Sequence, residues 1–88
     1  MKLIIAIVRD ADVEAVLTAL IERKFGVTRL ASTGGFLRRG STTLLIGTDE
    51  GRVDEAMEAL RQACLTPAED DRRRMTAFVI PVARFEQL

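Results

Sequence analysis

The stretch TRLASTGGFLRRGSTTLLIG, Thr28 to Gly47, contains the one strand-to-strand step that decides the fold. Its first and last thirds, Thr28-Arg29-Leu30 and the Thr-, Leu- and Ile-rich run to Gly47, have the composition of strands. Between them stand Gly34-Gly35, Phe36, Arg38, Arg39 and Gly40. A tight hairpin needs only about two to five connecting residues, and an Asn-Gly or Asp-Gly pair suffices. An aromatic ring and two cations set among glycines are more than a turn requires. The glycine pair supplies positive φ values and N–H groups able to cradle an anion. Phe36 offers a flat face to a base, and the arginines offer charge to phosphate. Against this stands the plainer reading, a hairpin tip with solubilising arginines. It is not a phosphate-binding P-loop, because no Gly-Lys-Ser/Thr opens a helix.

Outward from this segment the pattern alternates. Lys2 to Arg9 is an aliphatic run ending in a charged pair, the signature of a strand buried on both faces. Asp10 is the expected N-cap of a helix, with Asp12 and Glu14 in its first turn. Val13, Val16, Leu17, Leu20 and Ile21 form one apolar stripe. Phe25-Gly26 is expected to close that helix. Strands follow over Val27 to Ser32 and Ser41 to Thr48. Thr48 or Asp49 then caps a second helix with Val53, Ala56, Met57, Leu60 and Cys64 on its apolar face, stopped by Thr66-Pro67. The connector AEDDRRR leads to a last strand, Met75 to Val82, in which Pro81 indicates an edge, an end or a bulge.

The order is β-α-β-β-α-β. It predicts an α+β, ferredoxin-like fold, with two helices on one face of a four-stranded antiparallel sheet. With 88 residues the expectation is a single domain. The first strand alternates Leu3, Ile5 and Ile7 against Ile4, Ala6 and Val8, and the last sets Ala77, Val79 and Pro81 against Phe78, Ile80 and Val82. Both faces are apolar, yet there is one helix layer to cover them. The uncovered face predicts oligomerisation through the sheet.

Composition excludes several classes. Thirteen basic and thirteen acidic residues cancel, so no global positive field holds a DNA or RNA polymer. The chain has no histidine, the commonest general base and metal ligand, and the single cysteine, Cys64, reads as a core residue. Arg9-Asp10 at a strand end resembles an acylphosphatase arrangement, but those enzymes add an asparagine and this chain contains none. No catalytic residue and no metal ligand is therefore expected. No apolar run reaches the length of a membrane span. MKLIIAIVRD lacks a cleavage site and ends in charge, so a cytoplasmic location is expected. Thr28, Ser32, Thr33, Ser41, Thr42 and Thr43 place hydroxyls on both flanks of the glycine segment. Asp70-Asp71 and Arg72-Arg73-Arg74 read as a solvated turn.

MKLIIAIVRDAD, KFGVTRLASTGGFLRRGSTTLLIG, RVDEAMEAL and FVIPVARFEQL together resemble the cyclic-di-AMP receptor family, small PII-like signalling proteins of bacteria. The resemblance covers nearly the whole chain. The block from Thr33 to Gly47, TGGFL-R-x-G-x-TT-x-L-x-G, is its most specific part. It implies a ferredoxin-like, PII-like fold and a homotrimer assembled through the sheets. It also implies a non-catalytic receptor that binds one cyclic dinucleotide, cyclic-di-AMP, in each inter-subunit cleft and signals to a downstream protein. By residue, it implies base and phosphodiester contacts from Gly35, Phe36 and Leu37 and a hydroxyl contact from Thr28. Gly47 implies close backbone approach, and Gln87 a contact across the cleft. Three features depart from the family pattern. Ser41 stands where Asn is usual, and a hydroxyl does not read adenine in the bidentate manner of an amide. Gly26 replaces a usual basic or polar residue. The loop before the last strand is cut to LTPAEDDRRRM. These departures leave open a PII-like sensor of another adenine nucleotide or small anion, and a trimeric scaffold with a decayed pocket.

Overall fold

A computed structural model of the chain describes residues 1–30, 40–64 and 75–87. The elements are β1 (Lys2–Arg9), a 3-10 turn (Asp10–Asp12), α1 (Val13–Glu22), β2 (Gly26–Leu30) and β3 (Ser41–Thr48). A second 3-10 turn (Glu50–Arg52), α2 (Val53–Ala63) and β4 (Met75–Pro81) follow. The sheet is antiparallel, in the order β2-β3-β1-β4. This is the ferredoxin-like α+β arrangement that the alternation of elements predicts.

Period-two alternation decides which side chains meet the helices. Ile4, Ala6 and Val8 of β1 are buried, as are Leu44 and Ile46 of β3. They pack with Val13, Val16 and Leu20 of α1, with Ala56, Ala59, Leu60 and Ala63 of α2, and with Phe25 and Cys64. The predicted α1 stripe holds except at its margin: Leu17 is half-buried and Ile21 is 62% exposed. At 100° per residue, Ile21 lies one step around the helix from Leu20, past the contact with the sheet.

The helix ends differ from expectation. Asp10 does not cap α1. It starts the 3-10 turn, and its carboxylate Oδ1 accepts from the Thr42 hydroxyl Oγ1 at 2.6 Å. Neither Asp12 before α1 nor Asp49 before the second 3-10 turn makes a side-chain cap hydrogen bond. Tight 3-10 entries absorb part of the unpaired N–H inventory instead. The left-handed residue that ends α1 is Lys24 (φ 63°), not Gly26, which already lies in β2. Lys24 N–H donates to Ile21 O and Phe25 N–H to Leu20 O, satisfying carbonyls that the helix leaves open. Arg52 then ties the two helices together. It donates to Arg23 O at 2.8 Å, pairs with Glu55, and lies 4.1 Å above the Phe25 ring centroid.

β2 covers Gly26–Leu30 among the described residues, one residue earlier at its start than expected. The Ala31 and Ser32 end of that expectation, the Thr66-Pro67 stop and the AEDDRRR connector lie outside the described residues. β4 ends at Pro81, its last paired residue on an edge strand, where a missing N–H costs no interior ladder bond. Val82 N–H still donates to Met1 O at 3.1 Å, carrying the chain on beside the start of β1.

Candidate ligand site on the outer sheet face

The face turned away from the helices is a grid set by the register. One row runs Thr76, Ile7, Thr43, Leu30 across β4, β1, β3 and β2. The next runs Phe78, Ile5, Leu45, Thr28, and the third Ile80, Leu3, Gly47, Gly26. At the end nearest residues 31–39, Arg9 stands opposite Ser41. The β4 and β1 half is apolar and open: Phe78 is 53% and Ile80 42% exposed, with Leu3, Ile5 and Ile7 half-buried. The two-faced apolar pattern read from the sequence thus corresponds to a surface that the single chain leaves uncovered. The β3 and β2 half differs in adding hydroxyls and glycines to Leu30 and Leu45.

Three of the sequence-predicted ligand residues lie in that second half. Thr28 is exposed on β2, Ser41 half-buried at the start of β3, and Gly47 exposed near its end. Thr28 is a diagonal neighbour of Gly47, whereas Ser41 and Gly47 are six residues apart, about 20 Å at the rise of an antiparallel strand. The three residues therefore mark a strip and not a point. Gly35, Phe36 and Leu37 lie outside the described residues. Gln87 is exposed on the segment after β4. That segment leaves from the opposite edge of the sheet to Thr28, three strand spacings or about 14 Å away.

Of the predicted hydroxyl cluster, Ser32 and Thr33 lie outside the described residues, and the others divide between the two faces. Thr43 and Ser41 share the outer face with Thr28, but Thr42 faces inward, where it is buried and bound to Asp10. The cause is alternation: neighbouring strand residues cannot both line one surface. Thr42 instead has a positioning role. Its bond to Asp10, with Asp10 N–H donating to Gly40 O at 2.9 Å, clips the end of β1 to the start of β3. Gly40 at φ 82° makes the turn into β3, a conformation that glycine adopts without strain.

Two cross-strand pairings on this surface were not read from the sequence. Gly26, read as a helix stop and as a departure from the family pattern, is the cross-strand partner of Gly47. Arg9, weighed as part of an enzyme, is the cross-strand partner of Ser41. Both assignments depend on strand register, and the residues concerned are far apart in the chain. A separate open groove between α1 and α2, lined by Ala15, Ala19, Ala59 and Ala63 with Glu14 and Gln62, holds none of the predicted ligand residues. Among the described residues no group of three acidic or thiol side chains is placed to hold a metal ion, and no helix is long and apolar enough to cross a membrane.

Comparison with known proteins agrees with the fold. A crystal structure of a functionally unknown protein from Pediococcus pentosaceus superposes with a TM-score of 0.80 at 37% sequence identity. The match covers 99% of this chain and 96% of that one, so the two are close in length. The family model of the cyclic-di-AMP receptor matches residues 1–88. The chain belongs to the cyclic-di-AMP receptor family.

Proposed function

We propose that this protein is a non-catalytic, PII-like signalling receptor that binds a cyclic dinucleotide, cyclic-di-AMP first, in the inter-subunit clefts of a homotrimer. The observation that carries the reading is the division of the outer sheet face. A mainly apolar half, with Leu3, Ile5, Phe78 and Ile80, lies beside a mixed half in which the hydroxyls and glycines of Thr28, Ser41, Gly26 and Gly47 join Leu30 and Leu45. The apolar half is the kind of uncovered surface that a second copy buries. The other half is then left at the margin of the contact, where a ligand is enclosed by two subunits. Thr28 and Gly47 at one end and Ser41 about 20 Å away favour a ligand with two nucleoside units over a mononucleotide. Gln87 emerges from the edge opposite Thr28, which suits a contact made to a neighbouring copy. Gly35, Phe36 and Leu37 complete the pocket in this reading. Ligand binding orders the surrounding segments and shifts affinity for a downstream protein, since a ligand shifts only states that it distinguishes.

Calorimetric titration with cyclic-di-AMP, cyclic-di-GMP, ATP, AMP and phosphate tests the reading. Binding of cyclic-di-AMP with one site per chain and no turnover of the ligand is the expected result. Tighter binding of a mononucleotide or of phosphate would move the protein to the sensor reading, which Ser41 in place of an amide favours. Binding of none would leave a trimeric scaffold.

A further inference from the structure

Arg9 is the one charged side chain that the described strands carry on the outer face. Alternation puts it there. Ile4, Ala6 and Val8 of β1 are buried against the helices, so Arg9 falls on the other side with Leu3, Ile5 and Ile7. Arg29, by contrast, lies on the helix side of the sheet, where it pairs with Glu14 of α1. Arg9 is half-buried and stands directly opposite Ser41, itself half-buried. Directly opposed residues have Cβ atoms about 4.5–5.5 Å apart, within reach of one ligand group. The backbone around the pair is held in place. Asp10 N–H donates to Gly40 O at 2.9 Å, and the Asp10 carboxylate accepts from the Thr42 hydroxyl at 2.6 Å. These two bonds tie the residue after Arg9 to the residues on either side of Ser41.

We infer that Arg9 is a further ligand-binding residue, which with the Ser41 hydroxyl holds two neighbouring hydrogen-bond acceptors of the bound dinucleotide. This rests on the receptor reading above, in which Ser41 lines the site. A guanidinium has donors only, set in a planar fork, and keeps its charge at any working pH. It matches a pair of acceptors and not the mixed donor and acceptor edge of adenine. A cyclic dinucleotide offers such a pair in two places. One is the free oxygens of a phosphodiester, which also carry negative charge. The other, when a base is guanine, is its O6 and N7. On the phosphodiester, Arg9 adds affinity for every dinucleotide. On a guanine edge, it sets which base is accepted at the Ser41 end of the strip.

The test is titration of cyclic-di-AMP, cyclic-di-GMP and the mixed cyclic AMP–GMP dinucleotide into the native chain, Arg9→Met, Arg9→Lys and, as control, Arg29→Met. Methionine keeps an unbranched stem without charge or fork, and lysine keeps the charge without the fork. Arg29→Met removes the same charge from the opposite face. Thermal melts and sedimentation accompany each variant. Arg9→Met is expected to weaken binding about 10- to 100-fold, the effect of losing a charge-assisted contact. Arg9→Lys should lose less, and Arg29→Met should bind within twofold of the native chain. A loss by one factor for every dinucleotide that the native chain binds identifies the phosphodiester. A larger loss for the guanine-containing ligands identifies the guanine edge. A larger loss for cyclic-di-AMP than for those ligands would overturn the acceptor pair. An equal loss in Arg29→Met would overturn it too, reducing the effect to net charge. Both Arg9 variants within twofold of native binding would overturn the inference while leaving the receptor reading intact. Loss of oligomer mass or of a cooperative melt in both Arg9 variants would also overturn it, because Arg9 would then hold the assembly or the fold. Where only Arg9→Met fails in this way, Arg9→Lys decides by the same twofold limit. Absence of binding by the native chain would overturn both readings.

Discussion

Removing the Phe78 ring tests whether the apolar half of the outer face is an assembly surface. Phe78 is 53% exposed in the single chain. Full burial of such a side chain contributes about 1.5–3 kcal/mol, so roughly 0.8–1.6 kcal/mol remains to be gained when a neighbour covers it. Three copies lose about 2.4–4.8 kcal/mol per trimer with Phe78→Ala. Because trimer dissociation depends on concentration squared, its midpoint concentration should rise about 7- to 50-fold. Sedimentation velocity across a dilution series reads this directly, against an expected trimer mass three times the 9.7 kDa of one chain. The ring's exposure also bounds its role in the fold, so secondary structure by circular dichroism should be retained. Ile5→Lys strengthens the test, since Ile5 lies half-buried between Phe78 and Leu45 in the middle of the same face. On an open face a lysine extends its charge into water. In a covered one it is buried without a partner, at a cost of several kcal/mol. The refuting result is a native monomer at micromolar concentration, or a trimer whose midpoint neither substitution moves.

Phe36→Ala is expected to cost about 1–3 kcal/mol of nucleotide binding, the value of an aromatic platform, with little change in melting temperature. A loss of about 3–5 kcal/mol in stability would instead make Phe36 a core residue. Ser41→Asn is expected to strengthen adenine-nucleotide binding by about 1 kcal/mol through a restored amide, measured by calorimetry. Weaker binding would mean that the hydroxyl is the adapted contact. Thr42→Val removes the 2.6 Å bond to Asp10 and should destabilise the fold by about 1 kcal/mol, not more, because Asp10 is exposed and regains water. The corresponding drop in melting temperature is about 4–8 °C for a chain of this size. An unchanged melt would show that the clip contributes nothing.

Local pattern was enough for the elements. The aliphatic run of β1 and the Thr-rich run of β3 have the observed ends, Lys2–Arg9 and Ser41–Thr48, because composition changes sharply at both. The family, too, was legible from the block around Gly34-Gly35, since short-range glycine and hydroxyl spacing survives without any knowledge of packing. Caps were not legible. Asp10 has the right chemistry to cap α1, but the buried Thr42 hydroxyl, 32 residues away, competes for its carboxylate and wins. Lys24 takes the left-handed position for which a neighbouring glycine was the better local candidate, because the register of β2 against β3 claims Gly26. The sequence by itself determined the order of elements, the two apolar faces of β1 and the kind of ligand to expect. Tertiary structure decided which residues share the outer face: Gly26 with Gly47, Arg9 with Ser41, and Thr43 but not Thr42. The physical reason is that cross-strand register joins residues far apart in the chain, and a shift of one residue reverses every assignment.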